Sequence, residues 1–153
     1  VSHPNYAGNI IVILANLPDF LRKPILQKRL EEFFTLSAPD RREMISNALE
    51  AGPTIPFPSF AKLFTTWLDT VAGISEEKRT TIFSAYIYEI ISNPQKIILY
   101  NLDGIWEIFV SLEVQKKESI TNSLRRIILG LDLEQKRRLC LLMPQNARMH
   151  IGI

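Results

Sequence analysis

Pro18, Pro56 and Pro94 recur at a constant interval of 38 residues, and the fourth place of the series is taken by Asp132. Proline lacks a backbone N–H and clashes with the preceding turn, so it is tolerated at the start of a helix and not in its interior. The spacing therefore divides the chain into units of equal length, each opening on a helix. Other columns keep the same register. Leu26, Phe64 and Leu102 align, as do Leu30, Leu68 and Trp106, and Met44, Ile82 and Ile120. Leu36, Ile74 and Leu112 precede the second helix of each unit. Two charged columns accompany them: Glu31, Asp69 and Glu107, then Arg41, Arg79 and Lys117.

Local signals agree with two helices per unit. Ile74–Pro94 is the clearest copy. Ser75 is placed as an N-cap, Glu76 and Glu77 occupy the positive end of the helix dipole, and Ile82, Phe83, Tyr86, Ile87, Ile90 and Ile91 form a broad apolar face. Ser37-Ala38-Pro39-Asp40 starts a helix that stops near Gly52, and residues 59–72 carry the next through Phe60, Leu63, Phe64, Trp67, Leu68 and Val71. In the segment 18–35, Pro24 predicts either a turn before a helix starting near it or a kink. Asn93 and Pro94 are expected to cap and open a helix over 95–111, with a kink where Asn101-Leu102-Asp103-Gly104 gives a turn signal. Helices follow over 113–129 and 132–143, and the tail 145–153 has no clear period. Ile10-Ile11-Val12-Ile13 has strand propensity, yet it immediately precedes the first proline of the series, so 5–16 is read as helix.

A period near 40 with two helices per unit is similar to HEAT and armadillo repeats. The resemblance covers roughly residues 5–143 and is architectural only. The tetratricopeptide alternative has a period of about 34 and a Trp-x-x-Leu-Gly-x-x-Tyr signature that is absent here. The resemblance implies an all-α fold: a right-handed array of stacked antiparallel helical hairpins, an α-solenoid of about eight helices. A closed helical bundle is the alternative, because adjacent antiparallel hairpins give a similar alternation. The expected organisation is a single domain over 1–153, with an N-terminal helix in 1–17, repeat units 18–55, 56–93 and 94–131, and a partial unit 132–153.

Composition bounds the function. Hydrophobic residues are 46% and charged residues 22%, a balance for a packed core rather than disorder. The longest apolar run, Ile10–Ala15, is far short of the ~20 residues that span a bilayer, and no charged segment precedes it as in a secretory signal. With one cysteine, Cys140, no internal disulfide forms, so a reducing, cytoplasmic setting is expected. His3 and His150 lie near opposite ends of the sequence, and neither Cys-x-x-Cys nor His-Glu-x-x-His occurs. No catalytic constellation, metal site or cofactor loop can be assembled, and the chain reads as a non-enzyme.

Two surfaces stand out as candidates. The net charge is only +2, but residues 113–153 hold eight basic and four acidic side chains. Lys116, Lys117, Arg125, Arg126, Lys136, Arg137 and Arg138 form a footprint suited to anions or nucleic acid, although no Phe, Tyr or Trp accompanies them for base stacking. Leu139, Leu142 and Met143 lie on the last predicted helix, which no following helix covers; either the tail folds back through Met149, Ile151 and Ile153, or this end is an apolar interface to a partner or to a second copy. The favoured function is a protein-interaction module or small scaffold; nucleic-acid binding is the alternative. The charged columns are read as a ladder of surface ion pairs between paired helices.

Overall fold

The structure is a computed structural model describing residues 6–153, with side chains from Gly8 onward. Asn5 and His3 lie outside the described residues. Those described form ten α-helices and no strand. The helices are α1 (Tyr6–Ala15), α2 (Asp19–Phe33), α3 (Ala38–Ala51), α4 (Phe57–Ala72), α5 (Glu76–Ser92), α6 (Gln95–Ile98), α7 (Leu102–Val110), α8 (Val114–Leu129), α9 (Leu133–Leu142) and α10 (Gln145–Ile151); a 3-10 turn covers Gly52–Thr54. They pack as two compact units, one ending at Thr70 and the other running Val71–Ile153. The helix-on-helix packing within each unit is consistent with a helical array.

In the first unit, α1 packs chiefly on α3. Burial explains why Ile10–Ile13 is helical despite its β-branched residues. Gly8, Leu14 and Ala15 are buried and Ile11 is half-buried, a spacing that follows the helical period, while Val12 and Ile13 face outward. Against them α3 supplies the buried side chains Ile45, Ala48, Leu49 and Ala51. Its start is as the sequence implies: Ser37 Oγ accepts the Asp40 N–H at 3.3 Å, and Pro39 sits in the first turn. Pro24 neither starts α2 nor ends it; it lies within the helix. The position is exposed, as is Phe20 four residues earlier, so water can reach the carbonyl that loses its donor. The α4 aromatics stack along one helix face, with ring centroids 6.0 Å apart for Phe57–Phe60, 5.5 Å for Phe60–Phe64 and 5.8 Å for Phe64–Trp67.

In the second unit, α5 packs on α8 and α9, and α10 packs on α8. Ile82, Phe83, Ile87 and Ile91 of α5 and Ile120, Ile127 and Ile128 of α8 form the core. Ser75 caps α5 through the Lys78 N–H, and Asp132 with Gln135 makes a reciprocal capping box on α9. The single helix expected over 95–111 is instead two, α6 and α7. The cause is Asn101, whose Oδ1 accepts the Gly104 N–H at 2.9 Å and restarts the chain as a new N-cap. Asn93 ends α5 rather than capping the next helix, and Pro94 takes the N-cap place of α6. The tail also orders into α10. These two differences raise the helix number from about eight to ten.

Candidate functional site: the basic residues and the exposed face of α9

The basic column acts on the backbone, not as a ladder of ion pairs. Arg79 donates Nε to the Val71 carbonyl at 2.9 Å and Nη2 to those of Ala72 and Ile74 at 3.1 and 2.7 Å, all at the C-terminal end of α4. Arg41 treats the end of α2 the same way, with Nε to Phe33 at 3.1 Å and Nη2 to Phe34 at 2.8 Å. Lys117 places Nζ 3.2 Å from the Val110 carbonyl at the end of α7. Arg22, outside the column, reaches from α2 to Leu14 and Leu17 at the end of α1.

The geometry has a common origin. Each of these residues sits four places after its helix's N-cap residue (Pro18, Ser37, Ser75 or Glu113) and bonds that residue's carbonyl through its own N–H. A cation there opposes the positive end of its own dipole. It gains more from the preceding helix, whose last carbonyls lack partners and carry partial negative charge. The same contact thus occurs at four helix starts, Arg22, Arg41, Arg79 and Lys117.

The candidate anion-binding residues are thereby largely engaged. Arg125 donates Nε to Ile151 at 2.8 Å and Nη2 to His150 at 3.0 Å, closing the end of α10. Arg126 pairs with Glu76 at 3.4 Å, and Lys116 lies 3.8 Å from Glu113. Arg137 and Arg138 both pair with Glu134, each at 3.3 Å. Lys136 occupies the fourth helical place after Asp132 and is half-buried.

Of the seven, Lys117 and Arg125 share a hollow of about 260 Å³, lined also by Val114, Glu118, Thr121, Asn122 and His150. It is below the ~300–1,000 Å³ usual for cofactor and metabolite sites. Lys117 and Arg125 stand two helical turns apart on α8 and reach in opposite directions, toward Val110 and Ile151, so they do not converge on one anion. His150 is not isolated: its Nε2 is 3.1 Å from Thr121 Oγ1 and its ring meets Trp106 and Phe109 edge-on, with centroids 5.6 and 5.4 Å away.

Among the described residues no group of three or more His, Cys, Asp or Glu side chains could hold a metal ion. Cys140 is a free, half-buried thiol. The pKa shifts arise from packing. Burial pushes the Tyr86 phenol up to about 12, and burial together with Tyr86 raises Tyr100. Arg22 holds the exposed Asp19 carboxyl below its usual range, through a hydrogen bond and then its charge.

The tail does order, as α10 with Ile151 buried, and the apolar candidates at the end of α9 are largely covered. Leu139 is buried at 6% exposure, and Leu142 and Met143 are half-buried. The exposed apolar side chains of α9 are Leu133 and Leu141, 84% and 82% exposed, with Leu129 at the end of α8 at 74%. Leu133, Arg137 and Leu141 follow one another at intervals of four on one helix face. No helix among those described is long and apolar enough to cross a membrane. The chain matches no model of a known protein family, no curated protein and no solved structure.

Proposed function

We propose that this chain is a non-catalytic protein-interaction module built as a cytoplasmic array of HEAT-like helical hairpins, with the outward face of α9 as its contact surface. The observation that carries the reading is the alternation of fully exposed leucines with guanidinium groups on that face: Leu133, Arg137 and Leu141, flanked by Arg138 and by Leu129. A single exposed leucine is ordinary, but leucines at helical spacing interleaved with arginine have the make-up of an interface centre. The partner that fits is an apolar surface edged with carboxylates. These would replace Glu134, whose exposed pairs with Arg137 and Arg138 are each worth only ~0–1 kcal/mol.

A solenoid arrangement suits the role, because stacked hairpins extend a surface without closing a pocket. It is also supported by the recurrence of the same carbonyl-capping cation at Arg41, Arg79 and Lys117. Nucleic-acid binding has less support. It requires a convergent basic surface, whereas Lys117 and Arg125 are turned to carbonyls, Lys116 and Arg126 face Glu113 and Glu76, and Arg137 and Arg138 share Glu134.

The test is affinity capture from source cells with the native chain and with Leu133→Ser/Leu141→Ser, whose folding is checked by circular dichroism. Proteins retained by the native chain and lost by the variant are expected. Equal retention by both removes α9 from the reading. Retention of duplex DNA or RNA at low salt, lost on Arg137→Gln/Arg138→Gln, reverses the choice of partner class.

A further inference from the structure

The exposed side of α9 is a narrow stripe. Leu133, Glu134, Arg137, Arg138 and Leu141 are all exposed, whereas Gln135, Lys136 and Cys140 are half-buried and Leu139 is buried. Spacings of three and four residues put the exposed set on one helix face, with a leucine at each end and the charges between. At about 1.5 Å per residue, Leu133 and Leu141 stand about 12 Å apart, the length of two turns of a helix laid beside them. The stripe is one helix wide, because the side chains flanking it are already partly covered. Its charges are unequal. Glu134 Oε2 lies 3.3 Å from Arg137 Nη2 and Oε1 lies 3.3 Å from Arg138 Nε, so one carboxylate serves two guanidinium groups, an oxygen to each. Glu134 is the one acidic side chain of α9, and the stripe keeps an excess of positive charge.

Given α9 as the contact surface, we propose that its partner is an acidic amphipathic helix, and that Glu134 is an internal competitor which the partner's carboxylates displace from Arg137 and Arg138. Charge complementarity selects this occupant. A second copy does not fit, because in a twofold pair the stripe meets itself. Its centre, Arg137, then lies against its own equivalent whether the two helices run parallel or antiparallel. In the antiparallel case Glu134 falls beside the far leucine end of the other copy and not beside its cations; in the parallel case it faces its own equivalent. Like charges opposed in this way disfavour association. A helix with aliphatic side chains two turns apart and carboxylates between them satisfies the whole stripe, covering Leu133 and Leu141 while pairing both guanidinium groups. The Glu134 pairs are exposed, at 55% for the carboxylate, and so are weak enough to be exchanged.

The experiment titrates the full chain into a fluorescein-labelled, alanine-rich peptide of about 20 residues, long enough to form a helix, with leucines two turns apart and glutamates between them on the same face. Two further peptides carry glutamine or lysine in place of glutamate. Anisotropy is expected to show the glutamate peptide bound several-fold tighter than the glutamine peptide and the lysine peptide weakest, with the differences shrinking as salt is raised. Glu134→Gln should tighten the glutamate peptide roughly three- to tenfold and leave the glutamine peptide unchanged. Glu43→Gln, at an exposed position of α3 in the first unit, makes the same change in net charge away from the stripe and should leave both unchanged. Equal binding of the three peptides, or an equal response to Glu134→Gln and Glu43→Gln, overturns the proposal. Sedimentation with vesicles of anionic phospholipid in place of peptide binding, lost in Leu133→Ser/Leu141→Ser, assigns the stripe to a lipid surface and also overturns it. The acidic helix and the contact surface fail separately. A protein captured by the native chain and lost with Leu133→Ser/Leu141→Ser, but held equally by Glu134→Gln and at every salt concentration, keeps α9 as the contact surface and removes the acidic helix. Capture unaffected by the leucine changes removes α9 itself.

Discussion

Replacing Arg79 by methionine keeps the aliphatic stem and removes only the guanidinium. Arg79 is 7% exposed and bonded to the carbonyls of Val71, Ala72 and Ile74 and, at 3.3 Å, to Ser123 Oγ, which is fully buried. Its counter-charges are the negative end of α4 and, on its own helix, the Glu76 carboxylate. Removing the charged donor leaves neutral acceptors that keep their desolvation, at ~1–3 kcal/mol for each one that water cannot reach. Since three carbonyls and Ser123 are orphaned together and part of the helix end can reach water, we expect about 3–4 kcal/mol. That corresponds to a fall in Tm of roughly 6–16 °C at about 2–4 °C per kcal/mol.

Comparable changes along the column set the scale. Arg41→Met loses two carbonyl bonds and a contact 5.2 Å above the Phe33 ring at a half-buried site, for about 1.5–2 kcal/mol. Lys117→Met loses one bond at 3.2 Å, for about 0.5 kcal/mol. Urea denaturation in a Trp67→Phe background, in which Trp106 reports on the second unit, measures Arg79 and Lys117; circular dichroism serves for Arg41. The order Arg79, Arg41, Lys117 is the content of the prediction. If Arg79→Met costs no more than Lys117→Met, the carbonyls find other donors and the capping account fails.

Three further expectations follow from the same structure. Ile82→Ala, in the core of the second unit, should cost ~2–5 kcal/mol, whereas Leu133→Ser on the exposed face of α9 should stay within about 0.5 kcal/mol; denaturation midpoints compare them. Asp132→Ala removes the α9 capping box and should cost about 1 kcal/mol, with faster amide exchange confined to the first turn of α9. Tyr86 has a folded pKa of about 12 against an ordinary value of 10.0, so its contribution is complete below pH 10 and is lost as pH rises toward 12. Tyr86 should therefore contribute a loss of roughly 2–3 kcal/mol over that window, and Tyr86→Phe should remove that share and leave the loss due to Tyr100 in an alkaline denaturation series.

Where the sequence was legible, the deciding physics was local. Ser37 and Ser75 reveal their helices because capping involves only the next three residues, and the structure places both as N-caps; Asp132, legible only as the fourth place of the proline series, proves to be a third. Ile10–Ile13 was legible only through its place before Pro18, since local propensity pointed to a strand and burial against α3 decided for a helix. Asn101 shows the converse. Its side chain breaks 95–111 by bonding a single N–H, a choice that a turn signal hints at but hydrophobic periodicity does not encode. Of the two readings of Pro24, a helix starting near it and a kinked helix, the structure excludes the first: α2 runs through Pro24, where Pro24 and Phe20 are both exposed.

The candidate site was less legible because charge is read from composition, whereas its use depends on what lies in reach. Counting basic residues finds Lys117 and Arg125 but not that both terminate neighbouring helices. The signal was nevertheless present: a basic residue four places after an N-cap, at Arg22, Arg41, Arg79 and Lys117. A salt bridge was the natural reading of a charged column, but a helix end offers several carbonyls at a fixed position, whereas a carboxylate on a flexible stem must be immobilised to serve. The same geometry accounts for the difference between Leu139 and Leu141, two residues apart on α9 and on opposite sides of it. Leu139 shares its face with the core and is buried; Leu141 shares its face with Arg137 and is exposed. The exposed side of α9 is thus a mixed apolar and guanidinium face, and a partner of the proposed kind would have to satisfy both halves of it to displace water from either.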